Sequence, residues 1–380
     1  MMRTRSLALW RFVFALCVTL LLGAGSSRAG DEDNVNDFAV QFIIPIPGLR
    51  SFDISWVDQP TQTYFFADRT HAAVQIIDAR SDTPIVINQA VGFVGFRGSN
   101  DTSGPDGVVV IHSAHELWAG DGDSTVKVFD LKSDSTPLTA THVVHTGGFF
   151  RADELSFDPK DHLIAVANNA DDPPFLSFIS TETYQKVGQI DFPCGTEQSV
   201  WDPATRKFYL SIPGCTANPA PIFGSADGAI AEIDPLSQAV TMHSVAPCDP
   251  AGLALGPFQN LVVGCASAQQ TVIWNARTKS IVTVIPQTGR SDEVWFNEGD
   301  GNYYVAARQN LPAPALGIID AATNTFLRNV PTPVGANAHS VAADRVNNHV
   351  FVPLAAAATN NICPAGCVAV FWIPDADEKK

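Results

Sequence analysis

The chain has 380 residues, with 23 basic and 39 acidic side chains and a formal net charge of −16. So large an acidic excess argues against nucleic acid and anionic lipid as partners. It favours cationic ligands or metal ions, or serves solubility alone.

Residues 1–29 read as a targeting segment. Arg3, Arg5 and Arg11 form a basic start, Phe12 to Leu22 an apolar stretch too short to span a bilayer comfortably, and Ser27-Arg28-Ala29 a small-residue cleavage site. No Cys follows the Leu21-Leu22-Gly23-Ala24 stretch, which disfavours a lipoprotein. The mature chain is then 30–380, one domain, a monomer in the periplasm or secreted, with no membrane insertion. Six cysteines remain after Cys17 is removed: Cys194, Cys215, Cys248, Cys265, Cys363 and Cys367. An even number in an exported chain reads as disulfides.

Helical periodicity is nearly absent, and Gly and Pro punctuate the chain at short intervals, the texture of an all-β protein. One strand recurs, ending mostly in an acid or amide: Val74–Asp78, Val126–Asp130, Leu176–Ser180, Ile230–Asp234, Thr271–Asn275, Leu316–Asp320 and Val368–Trp372. A second strand precedes each copy: Thr63–Asp68, Glu116–Asp121, His162–Asn168, Lys207–Ile212, Asn260–Cys265, Asn302–Arg308 and His349–Leu354. Repeats of this length, each with room for four short strands A to D, predict a seven-bladed β-propeller. Too few residues follow Trp372 for another strand. Phe38–Ile44 has strand character and is expected to supply the outer strand of the last blade, closing the ring and removing an open edge. In this register Cys194 pairs with Cys215, Cys248 with Cys265, and Cys363 with Cys367.

Inner strands of a propeller line a central channel. The residues at the strand A starts are Asp53, Asp106, Asp153, Glu197, Asp249 or Ala251, Asp292 and His339, with Glu154, Gln198, Glu293 and Ser340 beside them. So many carboxylates on one axis cannot all ionise without compensation. A divalent cation such as Ca²⁺ is one answer, with Asp53, Asp106, Asp153, Glu197 and Asp292 as oxygen ligands. Neighbouring arginines are another, with Arg151, Arg290, Arg69 and Arg308 the candidates. Retained protons are the third, and would suit acid–base work by Glu154, Glu293 or His339. Arg151, Arg290 and Gln198 are the candidate contacts for a bound small molecule or partner segment. The plain alternative is that the acids cap strand starts and bond to neighbouring blades. His112, His115, His162 and His349 fall near the A–B hairpins and read as surface residues.

The Gly104-Pro105-Asp106-Gly107-Val108 start, the Val-x-Ile-Ile-Asp strands and Ala321-Ala322-Thr323-Asn324-Thr325 resemble the YncE/YVTN-type seven-bladed propellers over nearly all of the mature chain. That resemblance implies an exported propeller. A weaker one, carried by Pro105-Asp106-Gly107, runs to the gluconolactonase-like propellers. It implies an axial divalent cation, with Glu154 or Glu293 in the place of that family's Glu. Three functional expectations follow: a binding module with an acidic mouth, a metal-dependent hydrolase of the lactonase type, and an interaction scaffold.

Overall fold

The computed structural model describes residues 38–214, 228–245 and 247–373. The expected leader and Cys215 lie outside the described residues. The described chain forms seven four-stranded antiparallel sheets, each built from strands adjacent in sequence except the last. This is an all-β, seven-bladed propeller.

Blade 1 shows the plan, with Ser55–Asp58, Thr63–Asp68, Ala73–Asp78 and Ile85–Val91 as strands A to D. The A strands of neighbouring blades contact one another around the axis. Strands B and C are covered on both faces by adjacent blades. In blade 3, Leu163–Asn168 is buried throughout and Phe175–Ser180 nearly so, whereas the outer strand Gln185–Asp191 alternates exposed and half-buried residues. A sheet buried on both faces needs continuous apolar runs, which is why B and C give the clearest repeats.

Large side chains fill the space between blades. Tyr64 of blade 1 stacks on Phe351 of blade 7 at 4.5 Å, and Phe178 of blade 3 meets Phe208 of blade 4 at 5.9 Å. Each such fully buried ring contributes about 1.5–3 kcal/mol. The A–B hairpins turn on a left-handed residue immediately before strand B: Gln62, His115, His162, Arg206 and Gly301 all have φ between 50° and 72°. Only one of these five is the glycine that such a conformation favours.

Closure follows the expected route. Ala39–Pro45 pairs antiparallel with Cys367–Trp372 and forms the outer strand of blade 7. Cys248–Cys265 and Cys363–Cys367 are disulfides. No helix among the described residues is long and apolar enough to cross a membrane.

Candidate functional site: an arginine-bridged acidic mouth

Five blades carry an acid two residues before strand A: Asp53, Asp106, Asp153, Glu197 and Asp292. The expectation put these acids at the strand starts; the strands themselves begin at Ser55, Val108, Leu155, Ser199 and Val294. The five acids are structurally equivalent. Each donates its backbone N–H to a strand B carbonyl of its own blade: Ala67 at 2.9 Å, Gly120 at 3.0 Å, Ala167 at 2.8 Å, Ser211 at 3.0 Å and Ala306 at 3.2 Å. In blade 7 His339, three residues before Ala342–Ala343, faces the same cavity as Asp53, its N–H on the Asn337 carbonyl at 2.8 Å. In blade 5 a register shift between Pro250 and Leu253 puts Ala251 in the acid's place. Asp249 instead accepts the Gly214 N–H at 3.1 Å.

A second ring comes from the residue immediately after strand B, which places Arg69, Asn169 and Arg308 beside the acids. Arg69 is 2% exposed. Its guanidinium binds both Asp53 and Asp106, with Nε to Asp106 Oδ1 at 2.9 Å. Arg151 pairs with Asp153 at 2.8 Å and approaches Asp53 at 3.6 Å. Arg308 pairs with Asp292 at 2.8 Å. Asn169 donates to Asp153 at 2.7 Å and to Glu197 at 3.3 Å. His339 lies over Phe52 at 4.5 Å, donates through Nδ1 to the Asn337 carbonyl at 2.7 Å and holds Nε2 3.5 Å from Asp53. Arg290 sits two residues before Asp292, as Arg151 does before Asp153. It has a φ of 52°, its Nε is buried without a hydrogen-bond partner, and it does not line the cavity that the others share.

That cavity has a volume of about 640 Å³ and is walled by Asp53, Arg151, Asp153, Glu197, Asp292 and Arg308, among others. Its charges are graded. Burial pushes the Asp53 carboxyl up, but Arg69, His339 and Arg151 together outweigh it and hold it well below the usual range. Burial prevails elsewhere. It pushes Asp153 up to about 6 against the pull of Arg151, and Glu197 up to about 8 with help from Asp153. Asp106 also lies well above the usual carboxylate range because burial outweighs Arg69. The like-charge problem is therefore met by guanidinium groups and retained protons.

Asp53, Asp106 and Asp153 each offer an oxygen within 4.8 Å of the others, close enough to serve one metal ion. Two guanidinium groups stand among them: Arg151 on Asp153, and Arg69 on the other two. Arg69 engages Asp53 Oδ2 and Asp106 Oδ1, so an ion drawing on those two oxygens has to displace it.

Of the ring acids' neighbours, Gln198 and Glu293 turn away from the mouth, whereas Glu154 still borders it. Gln198 accepts the Leu253 N–H at 2.6 Å, joining blades 4 and 5. Glu293 Oε2 accepts from the Ser340 hydroxyl at 2.5 Å, the Val341 N–H at 2.9 Å and the Ser55 N–H at 3.3 Å, joining blades 6, 7 and 1. Glu154 is 4% exposed and one of its oxygens meets no protein group. The hairpin histidines stay apart from the mouth: His112 pairs with Asp58 at 3.1 Å, and His349, expected at the surface, is buried and pairs with Asp82 at 3.2 Å.

No family model and no curated protein matches the chain. Solved structures do. A chain in a crystal structure of the mitotic checkpoint complex is 13% identical, with a TM-score of 0.63, over 98% of this chain and 99% of that one. A chain of Kuenenia stuttgartiensis hydrazine synthase is 14% identical, with a TM-score of 0.61, over 83% of this chain and 94% of that one. At such identities the likeness establishes the propeller fold alone.

Proposed function

We propose that this protein is an exported, monomeric binding module of the YVTN-propeller type. Its axial mouth takes a small cationic or hydroxyl-rich ligand, or a partner's side chain of that chemistry, on Asp153, Glu197 and Asp292. One observation carries the reading: Arg69, Arg151 and Arg308 already engage four of the five ring acids from within, and Glu197 is left with no ion-pair partner among the described residues. A ligand that brings hydrogen-bond donors can add to the carboxyl oxygens facing the cavity without dismantling those pairs. Arg151, at the mouth and 13% exposed in its side chain, offers a donor for a ligand acceptor. The paired cysteines and the reading of residues 1–29 support export.

A second reading rests on the Asp53–Asp106–Asp153 triple, which suits a divalent ion such as Ca²⁺ once Arg69 moves aside. Lactonase-type hydrolysis stands or falls with that ion. Melting curves with Ca²⁺, with chelator, and with panels of amines and sugars separate the two. A rise with an amine or sugar that Glu197→Gln and Asp292→Asn abolish supports the first reading. A stoichiometric metal on elemental analysis, with a chelator-induced fall, replaces it with the second.

A further inference from the structure

Past the acidic ring the axis holds a second cavity, of about 420 Å³, lined by strand A residues of blades 1 to 6. Its wall differs in chemistry from the mouth. Trp56, Phe157, Val200, Leu255, Trp295 and Phe296 line it, and all are only half buried although they are large and apolar. The Trp56 and Trp295 rings stand edge to face at 5.5 Å.

Two acids interrupt this wall. Glu154 is 4% exposed and Glu293 1%. Each lines the cavity and keeps one carboxyl oxygen, Oε2 of Glu154 and Oε1 of Glu293, that no protein group meets. An unmet buried oxygen costs about 1–3 kcal/mol, and apolar walls cannot answer it. Neither of two carboxyls on one apolar pocket belongs to a structural ion pair.

We propose that this second cavity binds an amine with a compact aromatic or branched-alkyl body, its ammonium on Glu154 and Glu293 and its body among Trp56, Phe157, Trp295 and Phe296. An ammonium carries three donors and no acceptor, enough for both unmet oxygens. Aromatic faces attract the cation and bury the body. The volume suits a single-ring molecule. Burial, reinforced at Glu154 by the nearby acids, pushes both carboxyls well above the usual range, and an arriving positive charge favours their ionisation.

Tryptophan fluorescence and calorimetric titration with phenethylamine, 2-phenylethanol and butane-1,4-diamine test this. Phenethylamine is expected to bind roughly tenfold or more tightly than the uncharged alcohol, and the diamine, which has no ring, to bind weakly. Glu154→Gln keeps size and removes the charge. It is expected to weaken phenethylamine roughly tenfold and to leave the alcohol unchanged, with the melting temperature of the native protein. Trp56→Leu is expected to weaken both ring compounds. Equal affinity for amine and alcohol, an unaffected Glu154→Gln variant, or no saturable phenethylamine binding overturns the proposal. Glu154 borders both cavities, but Trp56 lines only this one, so the Trp56→Leu result separates failure here from failure of the mouth reading.

Discussion

Arg69 and Asp106 belong to different blades, yet the buried Arg69 guanidinium bonds to the Asp106 carboxyl while also holding Asp53 of its own blade. Breaking a buried ion pair by removing one partner costs about 3–5 kcal/mol, because the remaining charge is left unpaired. Arg69→Met is expected to destabilise by that amount in urea denaturation, and adding Asp106→Asn to recover part of it. The Arg69→Met variant is also expected to gain a Ca²⁺-dependent rise in melting temperature that the native protein lacks. A native protein that responds equally shows that Arg69 does not keep ions out.

The mouth sets a pH dependence of opposite sign on its two sides. Glu197 lies near 8 in the folded protein against 4.5 for the free side chain, and Asp153 near 6 against 3.8. Between those values the native protein keeps protons that the unfolded chain has lost, so stability falls as pH rises from about 4 to about 8. The slope reaches at most about 1.4 kcal/mol per pH unit for each proton. Asp53 is held low, so its contribution is lost as pH falls below 3.8. Urea midpoints are expected to be higher at pH 5.5 than at pH 8.5, and Glu197→Gln to flatten the alkaline limb. Stability that increases from pH 5.5 to 8.5 contradicts this.

Glu293 ties three blades together through one carboxyl oxygen. Glu293→Ala strands the Ser55 and Val341 N–H groups and is expected to cost about 3 kcal/mol. Glu293→Gln keeps an acceptor and is expected to cost clearly less. Chemical denaturation of both variants checks the order, and an alanine variant within the error of the native protein refutes it.

The two disulfides close loops of different length, with sequence separations of 17 and 4. The chain-entropy model assigns about 3 kcal/mol to the longer and about 2 kcal/mol to the shorter. Replacing Cys248 and Cys265 by alanine is therefore expected to lower the urea midpoint more than the same change at Cys363 and Cys367. The reverse order argues for native-state strain over loop entropy.

The fold was legible because strands B and C are buried on both faces and drift little from apolar composition; Val74–Asp78 and Thr271–Asn275 are typical. The acidic ring was legible at blade resolution for the same reason. Asp249 and Ala251 were not separable, because a bulge inserts residues without leaving a pattern in the sequence. Asn169 was missed, although it follows strand B as Arg69 and Arg308 do. The signal is positional and needs the blade register before it can be seen. The aromatic cavity was missed altogether. Nothing in the sequence sets Trp56, Phe157 and Trp295 apart, since an alternating strand does not reveal whether an apolar side chain meets another blade or the axis.

The last blade takes its outer strand, Ala39–Pro45, from the beginning of the chain and its neighbour, Cys367–Trp372, from the end. Earlier blades can pair strands as they emerge, but this one requires nearly the whole polypeptide to be present at once. The Ala39–Pro45 strand therefore has no partner until the last strand of the chain is free to pair. The ring is completed only after the final strand has been made, so the axial cavities come into being late and together.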